Sequence, residues 1–232
     1  MLSALTVFCL VTVATLLHVG AMATIGLAFR LHLSEFSLFI GPVVARFWLG
    51  DTAVSLRAIP VGGYARFEGL EPEASAETTV TDAAAPFHPL LRAVMELSGC
   101  ALLFGFSAIV LGPRSAVEAV LRGFSQLLAP LLAPSVAVQS VLTAAEVVRS
   151  STTIVLLALV ASKVAAFNLL PIPMLNGGQA LTDVVRWLFP LSLRARTRLL
   201  QIGFVLLMLI ASLWLITLLR VAGGALPSPP RA

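Results

Sequence analysis

The chain alternates between long apolar runs and short polar interruptions, and the runs differ in period. The first, from Ser3 to Phe29, is marked by His18, Gly20, Thr24 and Gly26 in a mainly apolar stretch. Helix one is therefore expected over residues 3–29, long enough to cross about 30 Å of hydrocarbon with some tilt. Residues 36–68 change character: short apolar runs (FSLFIG, VARFWLG, AVSLRAIPVGGYARFEG) are cut by Gly, Pro and Asp, a pattern of strands in a small membrane-surface hairpin or sheet. Residues 71–86 open on acidic and small side chains without an aromatic and predict a flexible loop. Helix two is expected over 89–111. In 114–149, Val117, Val120, Leu121, Phe124, Leu127 and Leu128 recur at helical spacing beside Arg114, Glu118, Arg122 and Gln126. That segment predicts an amphipathic helix lying on the membrane, followed by a second short one after Pro130 and Pro134. Helix three is expected over 152–170 and helix four over 199–219, after the basic loop RWLFPLSLRARTR; residues 222–232 predict a disordered tail.

Where helix three gives out stands NLLPIPMLNGGQ, residues 168–179. Asparagine, two prolines and a glycine pair break the helix at a depth where lipid would leave backbone N–H and C=O groups unpaired, at several kcal/mol each. This segment must face protein or a wet cavity, which makes it the first place to look for a site.

Composition agrees with the pattern. The chain is 59% hydrophobic with a mean hydropathy of +1.00 and only 11% charged residues, against about 25% in soluble domains. The expected fold is an all-α polytopic membrane protein of about four transmembrane helices in one membrane domain over residues 1–221. The net charge of +4 comes from arginines spread through loops and one lysine, which argues against nucleic acid and for membrane lipid as a partner. Arg194, Arg196 and Arg198 read as an anchor near anionic lipid. Cys9 and Cys100 both fall in apolar helices and form neither a disulfide framework nor a CxxC site. The first 28 residues lack a basic leader and stay apolar past His18, so they read as a retained helix, not a cleaved signal. Arginine counts favour both termini outside, with nine arginines in inner loops against five outside.

Five stretches in order resemble the site-2 proteases, the intramembrane zinc metalloproteases. NLLPIPMLNGG is similar to their N-x-x-P-x-P-x-L-D-G-G segment, IPVGGYARFEG to their P-L-G-G-Y strand, and LLHVGAMATIG occupies the place of the H-E-x-x-H helix. SGCALLF stands where A-G-P-x-x-N-F does, and APSVAVQS is similar to the S-G-P-x-x-I-A stretch before helix three. In H-E-x-x-H the two histidines bind zinc, the glutamate is the general base on the metal-bound water, and the aspartate of L-D-G completes the ligand set. At those positions this chain reads His18, Val19, Met22 and Asn176, and Leu103 replaces the helix-two asparagine.

The resemblance thus implies the family scaffold with its chemistry removed. Gly62, Gly63, Tyr64, Asn168, Pro171, Pro173, Gly177 and Gly178, which shape the backbone, remain. Valine takes no proton, methionine offers a neutral thioether suited to soft Cu(I), and asparagine a neutral carbonyl. No catalytic residue is assigned, His18 and Asn176 are the residual metal candidates, and no cofactor is expected. His18 is read as a buried imidazole bonded to a carbonyl, Met22 as packing, and Asn176 as a cap or bridge for the broken helix. Lys163, the only lysine, falls inside helix three, where an ionisable group needs a partner or must snorkel; Glu96 and Glu146 are the candidates. His32 and His88 read as loop residues.

The leading expectation is a pseudoprotease of a bacterial inner membrane that binds a transmembrane segment of another protein. One alternative is an active zinc protease recruiting Glu96 or Glu35 beside His18. Another is a small transporter using Lys163 and the broken helix.

Overall fold

The computed structural model describes residues 4–68, 88–189 and 192–223. Among them the elements run α1 (Ala4–Ala28), β1 (Leu33–Leu49), β2 (Thr52–Phe67), α2 (Pro89–Leu111), α3 (Pro113–Leu132), α4 (Pro134–Ser150), α5 (Thr153–Asn168), α6 (Asn176–Leu188) and α7 (Leu193–Ala222). The expected loop 71–86, and the expected tail beyond Gly223, lie outside the described residues.

Three helices, α1, α2 and the Thr197–Ala222 part of α7, are long and apolar enough to cross a membrane. The fourth expected span is α5, a shorter apolar helix of 16 residues. At 1.5 Å per residue it reaches about 24 Å, short of a full hydrocarbon crossing. It is nevertheless the centre of the bundle, packed by α1, α2 and α3. Small residues let it be so, because alanine and serine allow helix backbones to approach closely where no hydrophobic effect drives association. Ala158, Ala161, Ala165 and Ala166 are fully buried, and Ser107 Oγ of α2 donates across to Ala158 O at 2.8 Å. Leu103 joins Ala14, Ala161 and Ala165 in one cluster, filling with methyl groups the place where the family resemblance puts an asparagine.

The 114–149 segment is helical on both sides of its prolines. Two helices form, separated at Ala133 and each opened by a proline at its start, where the missing N–H has no helical partner anyway. They pack on the bundle, α3 against α2, α5 and α7 and α4 against α7. The buried face of α3 is the small-residue stripe Ala116, Ala119, Val120 and Gly123, while Val117 and Leu121 point outward. A Cβ on Gly123 would stand 2.6 Å from that of Ala166, so contact distance, not apolar bulk, selected the inner face. Near Pro130, which lacks a helical donor, Trp214 Nε1 of α7 donates to Leu127 O at 3.1 Å.

β1 and β2 form an antiparallel pair. Gly41 and Gly62 take left-handed φ of 89° and 64°, conformations without steric cost only for glycine, and the strands bend there. As a result Glu35–Leu38 lie beside two stretches of β2: Arg66 to Gly63 on one edge and Ala53 to Leu56 on the other. Glu35 is the pin of this folded ribbon. Its buried carboxylate accepts from Ser55 Oγ at 2.9 Å and pairs with Arg46, Arg57 and Arg66 at 3.1, 3.3 and 3.4 Å. The far end of the ribbon exposes Phe47, Trp48 and Leu49.

α6 and the first turn of α7 occupy much of what the sequence presents as broken backbone and basic loop. Asn176, Gly178, Ala180 and Asp183 are buried in α6, a helical face hidden in the sequence by its Gly-Gly start.

Burial pushes the Glu35 carboxyl up, but hydrogen bonds with Ser55, Arg46, Tyr64 and Arg57 outweigh it and hold the group below its ordinary 4.5. Its contribution to stability is therefore full above the unfolded value, about pH 4.5, and is lost as pH falls through the lower folded value. Glu35→Gln should destabilise by about 1–3 kcal/mol at neutral pH, with the difference vanishing in acid; thermal unfolding in detergent across pH measures this, and a pH-independent difference would contradict the assignment.

Candidate functional site

Three elements, β2, α2 and α6, converge around one face of α1. Gly63 of β2 lies against Val19: a Cβ there would stand 2.6 Å from Ser37 O and 2.9 Å from Val19 Cγ2. Gly99 of α2 lies against His18, since a Cβ there would overlap the imidazole and stand 2.6 Å from the His18 carbonyl. From α6, the Asn176 side-chain nitrogen lies 3.1 Å from Met22 Sδ and 3.0 Å from both the main-chain and a side-chain oxygen of Glu96. Three sequence-distant segments named by the resemblance are thus brought to His18, Val19 and Met22.

The broken backbone positions Asn176. After Asn168, whose Nδ2 bonds back to Val164 O at 2.9 Å, the chain turns through Pro171 and Pro173 to Leu175, whose N–H bonds to Ile172 O at 2.8 Å. Any side chain on Gly177 or Gly178 would overlap the carbonyls of Leu169 or Ile172. Leu170, Ile172 and Leu175 pack with Ile210 and Trp214 of α7, so the break faces protein, as its polar backbone requires. Asn176 is the first residue of α6 and bridges to α1 and α2; it does not cap the helix, whose N-cap residue, Leu175, makes no side-chain bond.

His18 is 1% exposed, yet neither ring nitrogen makes a hydrogen bond. The polar groups that meet the ring are the Gly99 backbone and the Asn176 side chain. Lys163 pairs with a main-chain group. Its Nζ donates to Ala119 O of α3 at 3.1 Å, and neither Glu96 nor Glu146 pairs with it. His32 lies 3.9 Å from Glu68, and His88 caps α2 by accepting from the Leu90 N–H at 3.3 Å.

Beside Asn176 opens a cavity of 680 Å³ lined by Met22, Tyr64, Arg92, Glu96, Gln179 and Asp183 among others. Arg92 Nε lies 3.4 Å from Asp183 Oδ2, and Arg186 adds a 3.9 Å contact. Arg92 and Asp183 escape the sequence reading, although a signal exists. Arg92 and Glu96 stand four apart in an apolar helix, and Asp183 stands seven after Asn176, so each pair shares a helical face.

Does this donor set suit zinc? A catalytic zinc takes three imidazole, carboxylate or thiolate ligands plus water. Here α1 offers one imidazole and a thioether, and the Asn176 amide aims its hydrogens at Met22 and Glu96. Among the described residues no group of three His, Cys, Asp or Glu could hold a metal ion. Glu35 is engaged by three arginines on the ribbon. The residues do not fit the ion.

The family model described as peptidase family M50 matches residues 4–210. A comparison with curated proteins finds no match.

Asn176→Leu should cost about 1–3 kcal/mol, because it strips the buried Glu96 carboxyl of its donor. Adding Glu96→Leu should recover part of that loss. Unfolding temperatures of the two single variants and the double variant give the coupling, and strict additivity would show that the pair does not interact.

Proposed function

This chain belongs to peptidase family M50, the site-2 protease family, and on that premise we propose that it keeps the family's membrane cage without its hydrolytic centre and acts by holding a transmembrane segment of a partner protein. Its three apolar helices and its family make it an integral membrane protein. The observation that carries the reading is the Asn176 amide, which donates toward Met22 and Glu96 at positions where a protease of this family would direct lone pairs at a cation.

Several features support it. Valine at 19 removes a general base worth about 10²–10⁴ in rate. Met22 is 4% exposed and engaged by Asn176. The scaffold glycines keep the close approaches that shape the cage, and the 680 Å³ cavity beside the site offers room for a guest. A metal held by His18 and Glu96 would have two donors where three are needed, and Glu96 is already bonded to Asn176.

Metal analysis of the purified protein should find zinc far below stoichiometric, and stoichiometric zinc would overturn the proposal. The triple variant Val19→Glu, Met22→His, Asn176→Asp should take up zinc. A photo-cross-linker placed at Gln179, on the cavity wall, should capture a membrane protein of full length, whereas capture of cleaved fragments would speak for an active protease.

A further inference from the structure

A second, larger cavity of 960 Å³ lies among α1, α3, α4, α5 and α7, away from Asn176. Its walls are mostly apolar, with Leu127, Val147, Val160, Val164, Phe167 and Trp214 prominent. It stands at the upper end of the range for small-molecule sites, about 300–1,000 Å³. Two polar features in it are unresolved by the protein itself. The Thr15 hydroxyl is buried and makes no hydrogen bond, and Lys163 uses one donor, on the neutral Ala119 carbonyl.

An ammonium has three donors, and no carboxylate pairs with this one among the described residues. The acid on the same cavity wall, Glu118, is held by Arg114 and Arg122 at 3.3 and 3.1 Å. Placing a lysine at such depth costs about 2.5–3.5 kcal/mol on insertion scales. An anion entering the cavity would offset that cost, and the apolar walls require that it bring a hydrocarbon body. A neutral lipid would satisfy the walls and leave the ammonium unpaired; a bare anion would satisfy the ammonium and leave the walls uncovered.

We infer that this cavity binds an anionic amphiphile, its carboxylate or phosphate head paired with Lys163 and its acyl chain along the α3, α4, α5 and α7 walls. The site is independent of the degenerate zinc positions and does not rest on the function proposed above.

The test is equilibrium binding to the full chain in detergent, read by native mass spectrometry, with palmitate, its methyl ester and lysophosphatidate as probes. Palmitate or lysophosphatidate, whichever head the site prefers, should bind at least tenfold more tightly than the ester. Lys163→Met should abolish that discrimination and Lys163→Arg should keep it. Val147→Trp, which fills the wall, should weaken binding of both anionic probes at an unchanged unfolding temperature. Equal affinity for ester and acid in the unaltered protein would overturn the inference without recourse to any variant, as would anionic binding indifferent to Lys163→Met.

Discussion

A helix that breaks inside a bilayer must give its freed backbone groups partners made of protein, and the arrangement around Asn176 follows from that constraint. Leu170, Ile172 and Leu175 of the turn are buried against α7, and the turn can be so tight only because Gly177 and Gly178 present no side chain to its carbonyls. Once the turn is fixed, the start of α6 is fixed, and with it the direction in which Asn176 reaches α1 and α2. The same economy of atoms recurs at Gly63 and Gly99, which admit Val19 and His18. The site is thus assembled by removing bulk, while cross-links such as the Asn176 to Glu96 bond fasten it.

Much of this was legible in the chain because the signals are local. Helix two is observed over its expected residues, and α1 and α5 within a residue or two at each end, since long apolar runs closed by a charged residue, Gly or Pro leave little choice. Pro171, Pro173 and the Gly177 to Gly178 pair announced the break. What stayed hidden depends on contacts between distant segments. Apart from Val120, the inward face of α3 over its first half is made of alanines and a glycine, while Val117 and Leu121, equally apolar in the sequence, point outward. α6 begins with two glycines, poor helix formers by propensity, and is held in place by what surrounds it.

At the site, the sequence named the positions on α1 and α6 and the structure brings them together, but the bonds they make were not readable in advance. His18 meets the Gly99 backbone and the Asn176 side chain, and Lys163 reaches the Ala119 carbonyl of α3, not either of the candidate carboxylates. Arg92 and Asp183 could have been noticed as ionisable residues at helical spacing in apolar surroundings.

The amide of Asn176 has a further consequence. In the family pattern this point carries an oxygen anion, so the local potential there is negative and draws positive charge out of water. A nitrogen bearing two hydrogens reverses that sign toward Met22 and Glu96. Both hydrogens are taken up by electron pairs of Met22 and Glu96, so at this point the side chain ties α6 to α1 and α2.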